Sequence, residues 1–264
     1  MRLKIFAAIA AMGTLLNCAC AQTNKGVSVV GGGKKVLFLL SSDRHGYWGE
    51  ELAAPVEILR QAGIAVMFAS PSGRPVLDPS SAPDPDTLPL TDPLFQWTSV
   101  EMAKKVIALH KSILSSGTPV LQQVKGGDYS AVVVVGGHGA MFDLDQNPQV
   151  LRILKEAGNA GKIVAAECHG TAALAFADLI WGKRVTGFPD IWEPPQLRPE
   201  LPYILQDTLN KASGGKYESG LENLKPGEAP KPLVIVQGNI ITSRDPMSSQ
   251  SMGVTLLRVL ENGI

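Results

Sequence analysis

The feature that most constrains this chain is a reactive pair of side chains at a predicted strand-to-helix turn. Residues 163–166 form a short apolar run typical of a buried strand, and residues 171–177 have the pattern of a helix start. Cys168, His169 and Gly170 lie between them. A sharp turn here would lift the thiol above the end of a sheet, as in a nucleophile elbow. A helix N-terminus and a neighbouring imidazole both favour the thiolate, so we expect a nucleophile with a lowered pKa.

The first 21 residues have the pattern of a secretory signal peptide. A basic start precedes an apolar core, residues 5–16, which is too short to span a bilayer. A small-x-small cleavage site ends at Ala21, and the Gly-rich residues 22–34 predict a flexible lead. We therefore expect a periplasmic or secreted protein. Lipid anchoring at Cys18 is the alternative, although the preceding residue is not the small one that such sites require.

Cleavage would change the charge and the cysteine count. Loss of Arg2 and Lys4 leaves 22 basic residues against 24 acidic ones, a formal net charge of −2. This balance indicates neither a nucleic-acid nor a membrane partner. Of the three cysteines only Cys168 would remain, and a lone thiol cannot form an internal disulfide. The alternative to a reactive thiol is a buried structural cysteine beside a hydrogen-bonded histidine; the flanking strand, glycine and helix favour the nucleophile.

Predicted strands and helices alternate along the rest of the chain. The strands are 35–40, 64–69, 131–135, 163–166, 184–187 and a hairpin pair at 233–236 and 240–242. The helices are 52–62 (with Pro55 in its first turn), 100–114, 149–160, 171–177, 199–212 and 250–260. This order predicts one α/β domain over 35–264, a doubly wound, mostly parallel sheet with helices on both faces. Residues 70–128 interrupt the alternation and predict an insertion that carries a helix.

Three polar or glycine-rich segments follow predicted strands. They are residues 46–51, 136–139 and 168–170. Ligands of doubly wound sheets bind at the carboxyl ends of the strands, so we expect these segments to meet in one site.

These segments carry a resemblance to a known family. The motifs are Glu51-x-x-x-Pro55, Gly136-Gly137-His138-Gly139 and Ala166-x-Cys168-His169-Gly170. Together they resemble the ThiJ/PfpI superfamily, whose members have the flavodoxin-like, class I glutamine-amidotransferase-like fold. The segments 46–51 and 186–193 are most similar to its glutathione-independent glyoxalase (glyoxalase III) and chaperone branch. The resemblance covers about residues 35–260.

The resemblance implies a role for each matched residue. Cys168 would be the nucleophile, Glu51 the carboxyl group that contacts its sulfur, and His169 the general acid/base. Glu193 would orient His169, with Asp190 as the alternative. These roles are chemically sound, because a protonated carboxyl can donate to a thiolate and a carboxylate can hold one imidazole tautomer. Glu51 has a second interpretation, as an acid favoured by a helix dipole.

The remaining site residues surround this set. Backbone amides of Gly137 and His169 would form an oxyanion hole, because glycine lets an amide approach a developing charge. The expected pocket is lined by Tyr47, Trp48, Gly136 and His138. His138 could instead only pack against the following helix, and Trp48 could belong to the core.

The implied activity is conversion of methylglyoxal-like 2-oxoaldehydes to 2-hydroxy acids such as D-lactate, without glutathione. We expect a small aldehyde substrate, a homodimer, and no metal or organic cofactor, because beyond the catalytic residues no His/Cys cluster has ligand spacing. The alternatives are a cysteine peptidase or amidase, and a holding chaperone or thiol stress sensor. One residue departs from the family pattern: Glu167, where a small apolar residue is usual, and its charge would oppose a Cys168 thiolate.

Overall fold

A six-stranded sheet organises the described part of the chain. The computed structural model describes residues 33–88, 98–222, 224–225 and 228–263. The predicted signal peptide, most of the lead 22–34 and residues 89–97 of the insertion lie outside the described residues.

The strands follow the predicted pattern closely. They are β1 (Lys35–Leu39), β2 (Ala65–Ala69), β3 (Ala131–Val134), β4 (Ile163–Glu167), β5 (Val234–Gln237) and β6 (Ile240–Ser243). Their spatial order is β2-β1-β3-β4-β6-β5, and every neighbouring pair is parallel except the β5–β6 hairpin. The mostly parallel, flavodoxin-like sheet is therefore confirmed.

Helices cover both faces of the sheet. They are α1 (Gly49–Gln61), α2 (Val100–Ser116), α3 (Ala140–Asp143), α4 (Pro148–Asn159), α5 (Ala172–Phe176), α6 (Leu205–Ala212) and α7 (Ser249–Asn262). Alternate strand residues point into two hydrophobic cores, as the pleat requires. Val36 and Phe38 pack with the α1 and α7 side, whereas Leu37 and Leu39 pack with the α3 to α6 side. Burial on both faces explains why β1 and β3 are continuous apolar runs.

Three local predictions were wrong. Residues 184–187 form no strand and make only an isolated bridge between Val185 and Tyr217. The predicted helix 199–212 is a short 3₁₀ turn at 198–200 followed by the separate helix α6. Pro55 lies inside α1 rather than in its first turn. Pro55 lies where α1 crosses α7, because a Cβ on Gly253 of α7 would lie 2.9 Å from the Pro55 Cα.

The insertion places α2 against α1. Val106 of α2 packs so closely on Gly49 that any side chain at Gly49 would clash with it. Tyr47, just before α1, hydrogen-bonds through its hydroxyl to His110 Nδ1 of α2 at 2.9 Å. The insertion therefore braces the start of α1, where Glu51 is located.

Candidate active site

The turn after β4 is a strained elbow. Cys168 has φ of 54°, a left-handed conformation that costs a residue with a Cβ about 1–2 kcal/mol. A 3₁₀ turn, Cys168–Thr171, follows and leads into α5. The Thr171 hydroxyl donates to the Cys168 carbonyl at 2.6 Å and closes the turn. Gly170 is required for close packing, since a Cβ there would lie 2.6 Å from the Val134 carbonyl oxygen on β3.

Cys168, His169 and Glu193 form a continuous chain of contacts. Cys168 Sγ lies 3.2 Å from His169 Nδ1, and His169 Nε2 lies 2.7 Å from Glu193 Oε1. All three residues are buried, with exposed fractions of 3%, 1% and 6%. Asp190, the alternative partner, points to Arg198 instead, with 2.9 Å between Oδ1 and Nη2. The structure thus brings Glu193, and not Asp190, to His169.

His138 also reaches Glu193. Its Nε2 lies 3.1 Å from Glu193 Oε2, and its ring centroid is 4.3 Å from that of His169. Both imidazoles can donate an Nε2–H to the carboxylate, which leaves His169 Nδ1 free to accept from Cys168. The sequence predicted His138 only as a pocket residue. His138 directly follows β3, the strand beside β4 in the sheet, and this position could have indicated that His138 lies close to His169.

Burial controls the charge of His169. Burial and the neighbouring His138 lower the pKa of His169 to about 4, against the opposing effect of Glu193. On its other side the imidazole packs against Phe188, with 4.8 Å between ring centroids. Burial works to raise the pKa of Glu193, but hydrogen bonds from His138 and His169 outweigh it and lower that pKa to about 2. At neutral pH the site therefore holds a neutral imidazole beside a carboxylate.

Glu51 lies beside the thiol. A Cβ on Gly136 would lie 2.7 Å from Cys168 Cβ and even closer to Glu51 Oε2, so the three residues share one small space. Burial raises the pKa of Glu51 to about 8, against the lowering effects of Cys168 and the Gly136 amide. Among the described residues, neither Glu51 oxygen has a well-aligned hydrogen-bond partner. Glu51 is thus a buried acid at the nucleophile rather than a solvated helix-capping residue.

The expectation of a lowered thiol pKa is not met. Burial raises the pKa of Cys168 well above its usual value, and ionised Glu51 adds to this effect. The His169 amide opposes it but is weaker. The 3₁₀ turn and the five-residue α5 offer little of the helix field that the sequence suggested. The resting nucleophile is therefore a neutral thiol next to a neutral base.

Of the two predicted oxyanion donors, the His169 amide is the one that contacts the sulfur. Gly137 has φ of 95°, and a Cβ there would lie 2.5 Å from the Trp48 nitrogen, so only glycine fits. Its amide has no protein acceptor among the described residues. The loop is held by the Trp48 amide, which donates to the Gly136 carbonyl at 3.0 Å.

The predicted aromatic pocket differs from expectation. Tyr47 is fully buried and packs in the core with α1, with its hydroxyl on His110, so it lines no open pocket. Trp48 is half-buried. A groove of about 450 Å³ lies between α1 and α2, lined by Val56, Arg60 and Lys105 among others, and contains none of the predicted site residues. Cys168, His169 and Glu193 are themselves almost completely buried.

Glu167 is a buried neutral acid. Its side chain is 1% exposed and contacts the Ser249 hydroxyl at the start of α7 through Oε1. Oε2 has no partner in the described part of the chain. Burial, then the nearby charge of Glu51, raises the pKa of Glu167 well above its usual value. Protonation removes the repulsion toward Cys168 that an ionised Glu167 would exert.

The fold and this site define a class: α/β proteins with a strained cysteine elbow at the carboxyl edge of a flavodoxin-like sheet. The chain belongs to the DJ-1/PfpI family, whose model matches residues 34–259. In the described ranges, no helix is both long and apolar enough to cross a bilayer.

Relatives of this chain include characterised proteins. It is 27% identical over 250 residues to the glutathione-independent glyoxalase HSP31 of Saccharomyces cerevisiae, covering 87% of this chain and 99% of that protein. The Rapid Encystment Protein 24 kDa (REP24) of Francisella tularensis superposes with a TM-score of 0.71 at 25% identity, covering 87% and 100% of the two chains. Glyoxalase III of Candida albicans has the same fold, with a TM-score of 0.61 at 23% identity over 85% and 96% of the two chains.

Proposed function

We propose that this protein is a glutathione-independent glyoxalase that converts methylglyoxal-like 2-oxoaldehydes to 2-hydroxy acids such as D-lactate. The observation that carries the proposal is the chain of contacts from Cys168 Sγ through His169 to Glu193, at 3.2 and 2.7 Å. The similarity to a protein named as a glutathione-independent glyoxalase supports the same chemistry. The near-complete burial of Cys168 favours a substrate of a few carbon atoms over a peptide.

The first step is addition of the thiol to the aldehyde. Sγ forms a bond to the aldehyde carbon, the thiol proton passes to His169 Nδ1, and the carbonyl oxygen takes the negative charge. The amides of Gly137 and His169 stabilise that charge. Return of the proton to the oxygen completes a hemithioacetal. Glu193 stabilises the imidazolium that forms transiently, as the carboxylate does in a catalytic triad.

The second step moves hydrogen between the two substrate carbons. His169 Nδ1 lies next to the aldehyde carbon, because that carbon is now bonded to Sγ. His169 removes the hydrogen from this carbon, an enediol forms, and the proton is returned to the neighbouring carbon. The aldehyde-derived hydroxyl proton passes to the former ketone oxygen, so the product is a thioester of a 2-hydroxy acid. Water then adds to the thioester carbonyl, the C–S bond breaks, and the acid and the Cys168 thiol are released.

Glu51 is suited to support the anionic sulfur during these steps. In its protonated form it can donate to the thiolate, whereas in its ionised form it opposes thiolate formation. The raised pKa of Glu51, about 8, keeps it mainly protonated at neutral pH. Glu51 is therefore proposed as a hydrogen-bond donor to Sγ whenever the sulfur carries charge.

A substrate screen tests the proposal. Purified protein without glutathione should convert methylglyoxal to lactate, detected directly, and the Cys168→Ser variant should not. Residual turnover by the serine variant would remove the covalent mechanism. Hydrolysis of peptides without action on aldehydes would support a peptidase. Inactivity on both, with protection of an aggregating client protein, would support a chaperone.

The cellular setting proposed from the sequence is a secreted or periplasmic homodimer with Gln22 as its first residue. Mass spectrometry of the exported protein tests the cleavage site, and a lipid-modified Cys18 would contradict it. Sedimentation equilibrium of the mature protein tests the dimer.

A further inference from the structure

We propose that His138, His169 and Glu193 form a binding site for a divalent transition-metal ion of the zinc type, and that the bound ion switches the site off. The three residues come from three separate segments: His138 from the loop after β3, His169 from the elbow after β4, and Glu193 from the position directly after the turn at 190–192. One ligand atom from each lies within 4.8 Å of the other two. This arrangement is two imidazoles and one carboxylate, with all three groups buried.

The distances are close to those of a metal site. Glu193 oxygens lie 2.7 Å from His169 Nε2 and 3.1 Å from His138 Nε2. Zinc bonds to nitrogen and carboxylate oxygen of about 2.0–2.1 Å in a tetrahedron separate neighbouring ligand atoms by about 3.3 Å. An outward shift of the Glu193 carboxylate by a few tenths of an ångström would therefore open room for the ion. Three protein ligands also leave a fourth position for water.

The second imidazole is the feature that a catalytic triad does not explain. Orienting His169 needs only one carboxylate oxygen, yet Glu193 also holds His138 through its other oxygen. Imidazole and carboxylate together suit zinc and its neighbours in the transition series rather than magnesium or calcium.

Metal binding would disable the nearby base. An ion on His169 Nε2 leaves the ring proton on Nδ1, which lies 3.2 Å from Cys168 Sγ. His169 could then donate to the sulfur but could not accept the thiol proton. The inhibitory part of this inference rests on the proposed function, whereas binding of the ion does not.

Titration calorimetry with Zn²⁺ on the chelator-stripped full chain tests binding directly. We expect affinity to fall at least about a hundredfold in His138→Ala and in the isosteric Glu193→Gln, because loss of an outer-sphere partner alone costs 10–100-fold. Cys168→Ser should retain the site. His110→Ala is the matched control, since His110 lies on α2 and contacts Tyr47; its affinity should be unchanged. Any Zn²⁺ binding by Cys18 and Cys20 contributes equally to the titrations of all variants.

A spectroscopic probe separates this site from a thiolate site. Co²⁺ should give visible d–d bands that disappear in His138→Ala, and the near-ultraviolet absorption should be the same in wild type and Cys168→Ser, because Cys168 is not a ligand of the site. Undiminished binding in both His138→Ala and Glu193→Gln would overturn the proposal, and so would loss of binding in Cys168→Ser. If Zn²⁺ binds as expected but the protein never turns over aldehydes, the proposed function fails and the metal site stands. If turnover occurs and is unchanged with Zn²⁺ bound, the inhibitory part is wrong.

Discussion

Replacement of Glu193 by Gln is the sharpest test of the proposed catalytic chain. The amide has the same shape as the carboxylate, so its oxygen can still accept from His169 Nε2–H. Its NH₂ group would face His138, whose ring can accept a hydrogen bond at Nε2 in the tautomer that carries its proton on Nδ1. The geometry should therefore survive, and only the negative charge is lost.

The magnitude follows from the 2.7 Å separation of Glu193 Oε1 and His169 Nε2. Two unit charges at this distance interact by about 6 kcal/mol at an effective dielectric constant of about 20. A charged hydrogen bond is about twice as strong as a neutral one, so the amide keeps roughly half. The expected loss is about 3 kcal/mol in the step that forms the imidazolium. This corresponds to a fall of about a hundredfold in kcat.

Steady-state kinetics on methylglyoxal, with lactate detected and a chelator present, measure the effect. KM should change little, because Glu193 stabilises a charge that exists only during the reaction. Asp190→Asn is the matched control. Asp190 lies three residues away and pairs with Arg198 outside the site, so kcat should stay within about threefold. An effect of Glu193→Gln on KM alone, or an equal loss in both variants, would refute the reasoning.

Three further predictions concern the surroundings of the nucleophile. Because burial and Glu51 raise the pKa of Cys168, a plot of its alkylation rate against pH should inflect above the free-cysteine value of about 8.5. Glu51→Gln should move that inflection to lower pH. A wild-type inflection below about 8.5 would contradict this reasoning. Gly136→Ala should destabilise the fold by about 1–3 kcal/mol in urea unfolding, because its Cβ would lie 2.5 Å from the Glu167 carbonyl oxygen. Its control, Gly127→Ala, meets nothing closer than 3.9 Å and should be near neutral, so equal effects would rule out the clash. Burial raises the folded-state pKa of Glu167 well above the ordinary 4.5, so native protein holds a proton that the unfolded chain releases, and the contribution of Glu167 to stability should fall as pH rises above about 4.5. Glu167→Gln should weaken that fall, and an unchanged slope would show that Glu167 is ionised in the native state.

Local sequence determined most of the architecture. Continuous apolar runs at 131–134 and 163–166 identified buried parallel strands, because only strands covered on both faces can be apolar at every position. The alternation of strands and helices determined the sheet class, and the motif around Cys168 determined the elbow. These features depend on a few neighbouring residues, so the sequence carries them directly. One error was the start of α1, which lies three residues before the predicted one and so places Pro55 in the interior of the helix.

Only the tertiary structure decided which side chains meet and how they ionise. The sheet order places β3 beside β4 and so brings His138 close to His169. The turn at 190–192 directs the Glu193 side chain toward the two histidines and the Asp190 side chain toward Arg198. The contacts of Glu193 with His169 and His138 join residues 24 and 55 positions apart, and no local pattern specifies them. The charge states are decided by burial, because desolvation depends on everything packed around a group. The sequence therefore identified Cys168 as the candidate nucleophile, whereas the fold decided that it rests as a neutral thiol.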